Sequence, residues 1–230
     1  MTSSRSHCGF RILILAASMS LLSASCARIG RFVESGDIYH TDTYEKVLEE
    51  WSREARIHRG LEVVLIACAT FKSKEYRRAY ADEYAMARRL TAEERERFVG
   101  DQLNAANLGH EFLMASFVPD KEWDDFGQAK SMWRLFLVND NNERLEPVEV
   151  RRLRGQDAVL SHFFPYITPH KSTYVVRFPI DNPGSGQPFI RDTIKSIRLV
   201  ITSVLGTAEM DWQIENGCQW EPPSPMPGSS

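Results

Sequence analysis

Long apolar runs are scarce in this chain of 230 residues. The most apolar stretch, Ile12–Ser25, holds 14 residues, and crossing a bilayer takes about 20. A basic surplus is missing as well. Lys and Arg number 28 against 31 Asp and Glu, a net charge of −3, which provides no field to gather nucleic acid. The four cysteines form no CxxC pair and no zinc spacing. Gly184-Ser-Gly186 is not followed by the Lys-Ser/Thr of a phosphate loop. A nucleophile elbow with a trailing His is lacking, and no repeat of fixed period is visible. What is present is ordinary: 43% hydrophobic and 26% charged residues. That is a globular composition, not that of a disordered tail, a collagen-like fibre or a coiled coil. The length suits one domain with a sizeable core.

The N-terminus reads as an address. Arg5 and Arg11 make a positive region free of acid, and the apolar run that follows ends in small residues. These are the marks of a secretory signal peptide over residues 1–25. Leu21-Leu-Ser-Ala-Ser-Cys26 resembles the lipobox of bacterial lipoproteins, with Ser23 standing where that family usually has Leu. The resemblance implies cleavage before Cys26 and fatty acyl chains, palmitate among them, on its thiol and new amine. Two or three such chains, at about 0.8 kcal/mol per buried CH₂, hold a protein firmly to a membrane. Ala27 follows the cysteine. By the sorting rule of such lipoproteins this implies the outer membrane, with the body facing the periplasm. Ser23-Ala24-Ser25 also fits a plain signal-peptidase site, which would release a soluble periplasmic protein; an uncleaved anchor is a third reading. Loss of residues 1–25 removes Arg5 and Arg11 and no acid, so the charge of −3 becomes −5. Charge alone then draws the chain to no anionic lipid.

Cys8 leaves with the signal, and Cys68 and Cys218 remain beside Cys26. An oxidising compartment permits a disulfide between them; a buried free thiol at Cys68 is the alternative. Residues 26–40 read as a lipidated tether and 217–230 as a Pro-rich disordered tail. Between them, residues 41–216 read as one domain. Thr41 caps a helix with Tyr44, Val47, Leu48 and Trp51 on one face. It continues to His58, or the chain turns extended near Arg53. Leu61–Phe71 is the strongest strand. It is apolar on both faces, so both faces are expected to be covered. Residues 73–108 read as a two-helix insertion, with a Tyr76, Tyr80, Tyr84 stripe packing on the sheet and a capping box at Thr91 and Glu94. Alternation then marks strands at 110–118, 132–139, 146–153, 174–180, 197–204 and 208–214. The pair 132–139 and 146–153 flanks Asp140-Asn-Asn-Glu143 and reads as a hairpin. The fold expected is mainly β with helical additions: an antiparallel β-sandwich, immunoglobulin-like, with an N-terminal helix and a helical insertion.

Chemistry is thin. His162 and His170 flank Phe163, Phe164, Pro165 and Tyr166, which read as a structured loop packed on the sheet edge. His110 and Glu111 adjoin, but neighbours on a strand face opposite ways. Asp120, Asp124 and Asp125 read as an exposed loop, and Arg151, Arg152 and Arg154 as a solvated face. The expected role is therefore a non-catalytic binding or assembly component of the envelope. It would have the membrane as a partner through Cys26 and an envelope protein as a possible second. No cofactor, catalytic residue or metal ligand is assigned. The competing reading is a periplasmic hydrolase or metal-dependent enzyme using His110, His162 or His170.

Overall fold

Thr41 accepts the Tyr44 amide on its hydroxyl at 3.2 Å and so caps α1, Asp42–Trp51. Tyr44 and Trp51 form the buried side of that helix. Ser52 is extended, and the chain runs on as β1, Ser52–Arg59. Of the two continuations the sequence allows, the extended one holds. The computed structural model describes residues 40–155 and 158–214. The leader, Cys26, most of the tether, Cys218 and the Pro-rich tail lie outside the described residues.

Gly60, at φ +63°, turns the chain back into β2, Glu62–Phe71, antiparallel to β1. Leu65, Ala67, Ala69 and Phe71 are buried on one face of β2, and Cys68 and Thr70 on the other. Both faces are covered. Ser73 then caps α2, Lys74–Arg88. Thr91 opens α3, Ala92–Ala106, with a complete capping box to Glu94. Tyr76, Tyr80 and Tyr84 step along α2 with ring centroids 6.2 and 6.0 Å apart.

The remaining strands are β3 His110–Phe117, β4 Arg134–Asn139, β5 Arg144–Leu145, β6 Glu149–Arg152, β7 Ser172–Phe178, β8 Ser196–Ser203 and β9 Gly206–Gln213. A short helix, α4 Ala158–Phe163, precedes β7. Two antiparallel sheets result, in the orders β1-β2-β3-β7-β6 and β5-β4-β8-β9. The chain is thus mainly antiparallel β with a few helices. Among the described residues no helix is long and apolar enough to cross a membrane.

One expected pairing is corrected. The turn at Asp140–Glu143 forms, with Asn142 at φ +59°, but residues 146–153 do not return along β4. Only Arg144–Leu145 pairs there. Pro147 has no amide to donate to the ladder. The chain crosses to the other sheet, where Val148 N donates to Arg177 O at 2.8 Å and β6 pairs with β7.

The sheets share one core. The Trp212 ring of β9 lies 5.2 Å from the Phe112 ring of β3, and its Nε1 donates to Trp51 O at 2.8 Å. Toward the other end, Phe126 stacks on Trp133 at 5.2 Å and meets Tyr174 at 5.3 Å. The loop carrying Phe126 is pinned by Asp124, which is 3% exposed and so does not belong to an exposed loop. Its carboxylate accepts from Ser172 Oγ and, at 3.1 Å, from Tyr174 OH. Burying that charge is tolerable only with such donors around it.

Candidate functional site

The ends of four segments meet beside α2. β2 runs out at Phe71 into Lys72, Ser73 and Lys74; α3 runs out at Ala106 into Gly109 and His110; Trp51 closes α1, and Ile214 follows β9. Together with Ile180 and Ile190 these residues line a cavity of about 450 Å³. That is within the size range of small-molecule sites, which combine apolar walls with a few polar points. Trp51, Phe71 and the three isoleucines supply the apolar wall; Lys72, Lys74 and His110 supply the polar points.

Gly109 is needed for this wall. A Cβ there would stand 2.7 Å from both Arg177 Cγ and the Phe178 carbonyl oxygen. The backbone therefore lies against β7 at a distance only glycine allows.

His110 is 9% exposed. Burial pulls its pKa from 6.5 down to about 4, outweighing a ring N–H that donates to the Ile180 carbonyl and the attraction of Asp181. The imidazole is thus neutral at pH 7. Its Nε2 is buried without a hydrogen-bond partner, which leaves a lone pair as acceptor. A folded pKa below the unfolded one means that the unfolded chain takes up the proton first. Stability is then present above pH 6.5 and lost as pH falls toward about 4. His110→Gln is expected to flatten this part of the acid profile, a span of about 3 kcal/mol. Urea unfolding at pH 7, 5.5 and 4 measures it.

Glu111 faces the other way, as alternation requires, so His110 and Glu111 form no acid–base pair. Burial by itself would raise the Glu111 carboxyl. Lys72 and Arg177, with Arg77 beyond them, instead hold it at about 2. Lys72 Nζ donates at 2.8 Å, Arg177 Nη2 at 3.0 Å, and Arg77 Nη2 lies 3.7 Å away. Arg77 is buried by α2 and donates from Nε to the Lys72 carbonyl at 3.1 Å. Arg177 also meets Glu149 at 2.8 Å. Three cations therefore converge on one carboxylate directly behind the cavity wall.

The three histidines singled out in the sequence are not brought together. His162, in α4, accepts on its backbone carbonyl from His40 Nε2 at 2.7 Å, and the two rings lie 4.6 Å apart. His40 Nδ1 meets Glu83 of α2 at 3.1 Å. His170 is exposed in the loop before β7. Among the described residues no group of three His, Cys, Asp or Glu side chains is arranged to hold a metal ion. The aromatic run beside them packs on the outer sheet face rather than on an edge. Phe163 and Phe164 are buried, and Tyr166 OH donates to Leu113 O at 3.0 Å with Thr70 Oγ1 at 2.8 Å.

Cys68 carries a free, buried thiol. It donates to Glu54 Oε2 at 3.2 Å and accepts from Lys171 Nζ at 3.3 Å. Burial pushes its pKa up to about 11, so it is a thiol, not a thiolate, at neutral pH.

The cavity itself was not visible in the sequence. Lys72 and Arg77 lie five positions apart at the junction of β2 and α2, but Arg177 belongs to β7, far along the chain. Only the helix cap at Ser73 next to a strand end hinted at a junction there. Comparison of the chain with protein-family models, curated proteins and solved structures finds no match.

Proposed function

We propose that the chain is an exported, membrane-anchored binding component of a bacterial envelope, and that the cavity beside α2 is where it takes a small ligand. The observation that carries the binding half is the cavity of about 450 Å³, apolar over most of its wall, with His110 as a buried neutral acceptor. The lipobox-like residues ending at Cys26 support the anchor. Acylation there would hold the body on the periplasmic side of the outer membrane, where an envelope protein could also meet it. The layering of two antiparallel sheets supports reading the domain as a β-sandwich, immunoglobulin-like in architecture. An enzyme using His110, His162 or His170 gains no support from their placement.

The anchor is tested by growth with labelled palmitate followed by envelope fractionation. Wild type is expected to carry label and sediment with outer membrane. Cys26→Ser is expected to lose the label and appear in the soluble periplasmic fraction. An unlabelled wild type that keeps its first residue and stays in the cytosol overturns the reading.

A further inference from the structure

We propose that the ligand of the cavity beside α2 is an uncharged aliphatic alcohol, its hydroxyl donating to His110 and its chain lying along the isoleucine wall. This inference rests on the reading of the cavity as a ligand site and adds the ligand's chemical class. An unmet acceptor, the absence of a usable charge and the make-up of the wall carry it.

His110 is nine-tenths buried and forms part of the cavity wall. One ring nitrogen gives its hydrogen to the Ile180 carbonyl, which fixes the tautomer. The other, Nε2, is then a lone pair, and it has no donor. Phe71 and Phe189 flank the ring at 6.4 and 6.1 Å, so its surroundings are apolar. A buried acceptor left bare in such surroundings is costly. The nearby side-chain donors are committed elsewhere: Lys72 Nζ to Glu111, Arg77 Nε to the Lys72 carbonyl, and Trp51 Nε1 to Glu75 at 3.3 Å. A donor on a molecule lodged in the cavity meets the need.

That molecule carries no charge. An anion is opposed by the Nε2 lone pair and by Asp181, whose charge acts on the same ring. Lys72 does not offset this, because Glu111 already neutralises it, and Lys74 is exposed. A cation fares no better. Among the described residues no Asp or Glu lines the cavity, while Lys72 and Lys74 do. An uncharged O–H remains as the group that can donate to Nε2 without an ionic penalty.

Trp51, Phe71, Ile180, Ile190 and Ile214 supply the rest of the wall. They offer contact to a hydrocarbon chain and little to a polyol, whose further hydroxyls would be stripped of water without partners. Each CH₂ added to the chain is therefore expected to tighten binding about fourfold until the cavity is filled.

The test uses calorimetry on the full chain carrying Cys26→Ser, which removes acyl chains that would compete for an apolar cavity. The probes are octanol, heptyl methyl ether, octanoate and octylammonium. The ether matches octanol in heavy atoms and accepts a hydrogen bond but cannot donate one. Octanol is expected to bind about tenfold tighter than the ether, and both ions more weakly than octanol. His110→Phe keeps an aromatic ring and removes the acceptor, so octanol and the ether are expected to bind it alike. A second reading needs no variant. In protein labelled with ¹⁵N at histidine, octanol is expected to move one imidazole Nε2 resonance upfield, and the ether to leave it in place. Octanol no tighter than the ether, or octanol bound with every histidine resonance unmoved, overturns the donor while leaving the cavity a ligand site. Either ion binding more tightly than octanol overturns the uncharged class. No binding by any of the four probes overturns both readings.

Discussion

Glu111→Leu is expected to destabilise the protein by about 3–5 kcal/mol, read as a lower midpoint in guanidinium unfolding. The carboxylate is the common partner of Lys72, Arg177 and Arg77. Removing it leaves Arg77, whose side chain is 3% exposed, as a buried cation with no counter-charge. Glu111→Gln keeps the shape and some hydrogen bonds, so its cost is smaller but of the same sign. The pair of variants separates charge from packing. The acid profile gives a second reading. With a folded pKa of about 2 against 4.5, Glu111 contributes fully above pH 4.5. That contribution, about 3 kcal/mol, is lost as pH falls toward 2. This window lies below the one assigned to His110. Acid unfolding should therefore proceed in two successive ranges, each abolished by its own variant.

Trp212→Ala is the second large effect, at about 4 kcal/mol. Trp212 is 0% exposed and joins the two sheets. Its ring meets Phe112 across the core, and its Nε1–H holds the last carbonyl of α1. Alanine leaves a cavity and an unsatisfied Trp51 carbonyl together. Trp212→Phe keeps most of the volume and loses only the hydrogen bond, about 1 kcal/mol. A Trp212→Phe loss as large as that of Trp212→Ala would mean that the bond to Trp51, not the packing, joins helix to sheet.

Much of the fold was legible because its signals are local. The caps at Thr41, Ser73 and Thr91 and the apolar run of β2 each act within a few residues, and each marks an element present in the structure. β1 is ambiguous in the sequence because Ser-Arg-Glu-Ala-Arg-Ile-His-Arg offers one buried residue, Ile57. Its other side chains lie at a margin, where alternation carries little hydrophobic contrast. The sequence suggests a full hairpin after β4 because turn residues at 140–143 are compatible with any antiparallel return, whereas only Arg144–Leu145 pairs there. Pro147 was the discriminating signal. Asp124 reads as a solvent-facing acid because nothing local says that Ser172 and Tyr174, 48 and 50 positions on, will surround it. The cation group around Glu111 escaped for the same reason. Strand register alone sets Arg177 opposite Glu111.

The margins of the two sheets have a consequence for how the protein behaves in a crowded compartment. β1 and β9, the long outer strands, turn toward each other. Arg53 Nε donates to the Asp211 carbonyl at 2.9 Å, and Gly206 sits so close to Ile57 that a Cβ would come within 2.6 Å of it. The outer strands on the opposite side, β5 and β6, are two and four residues long. Open strand margins recruit further chains into growing fibrils. Here the long margins are turned inward and the open ones are too brief to template. At high concentration, neighbouring copies thus have little strand backbone through which to polymerise.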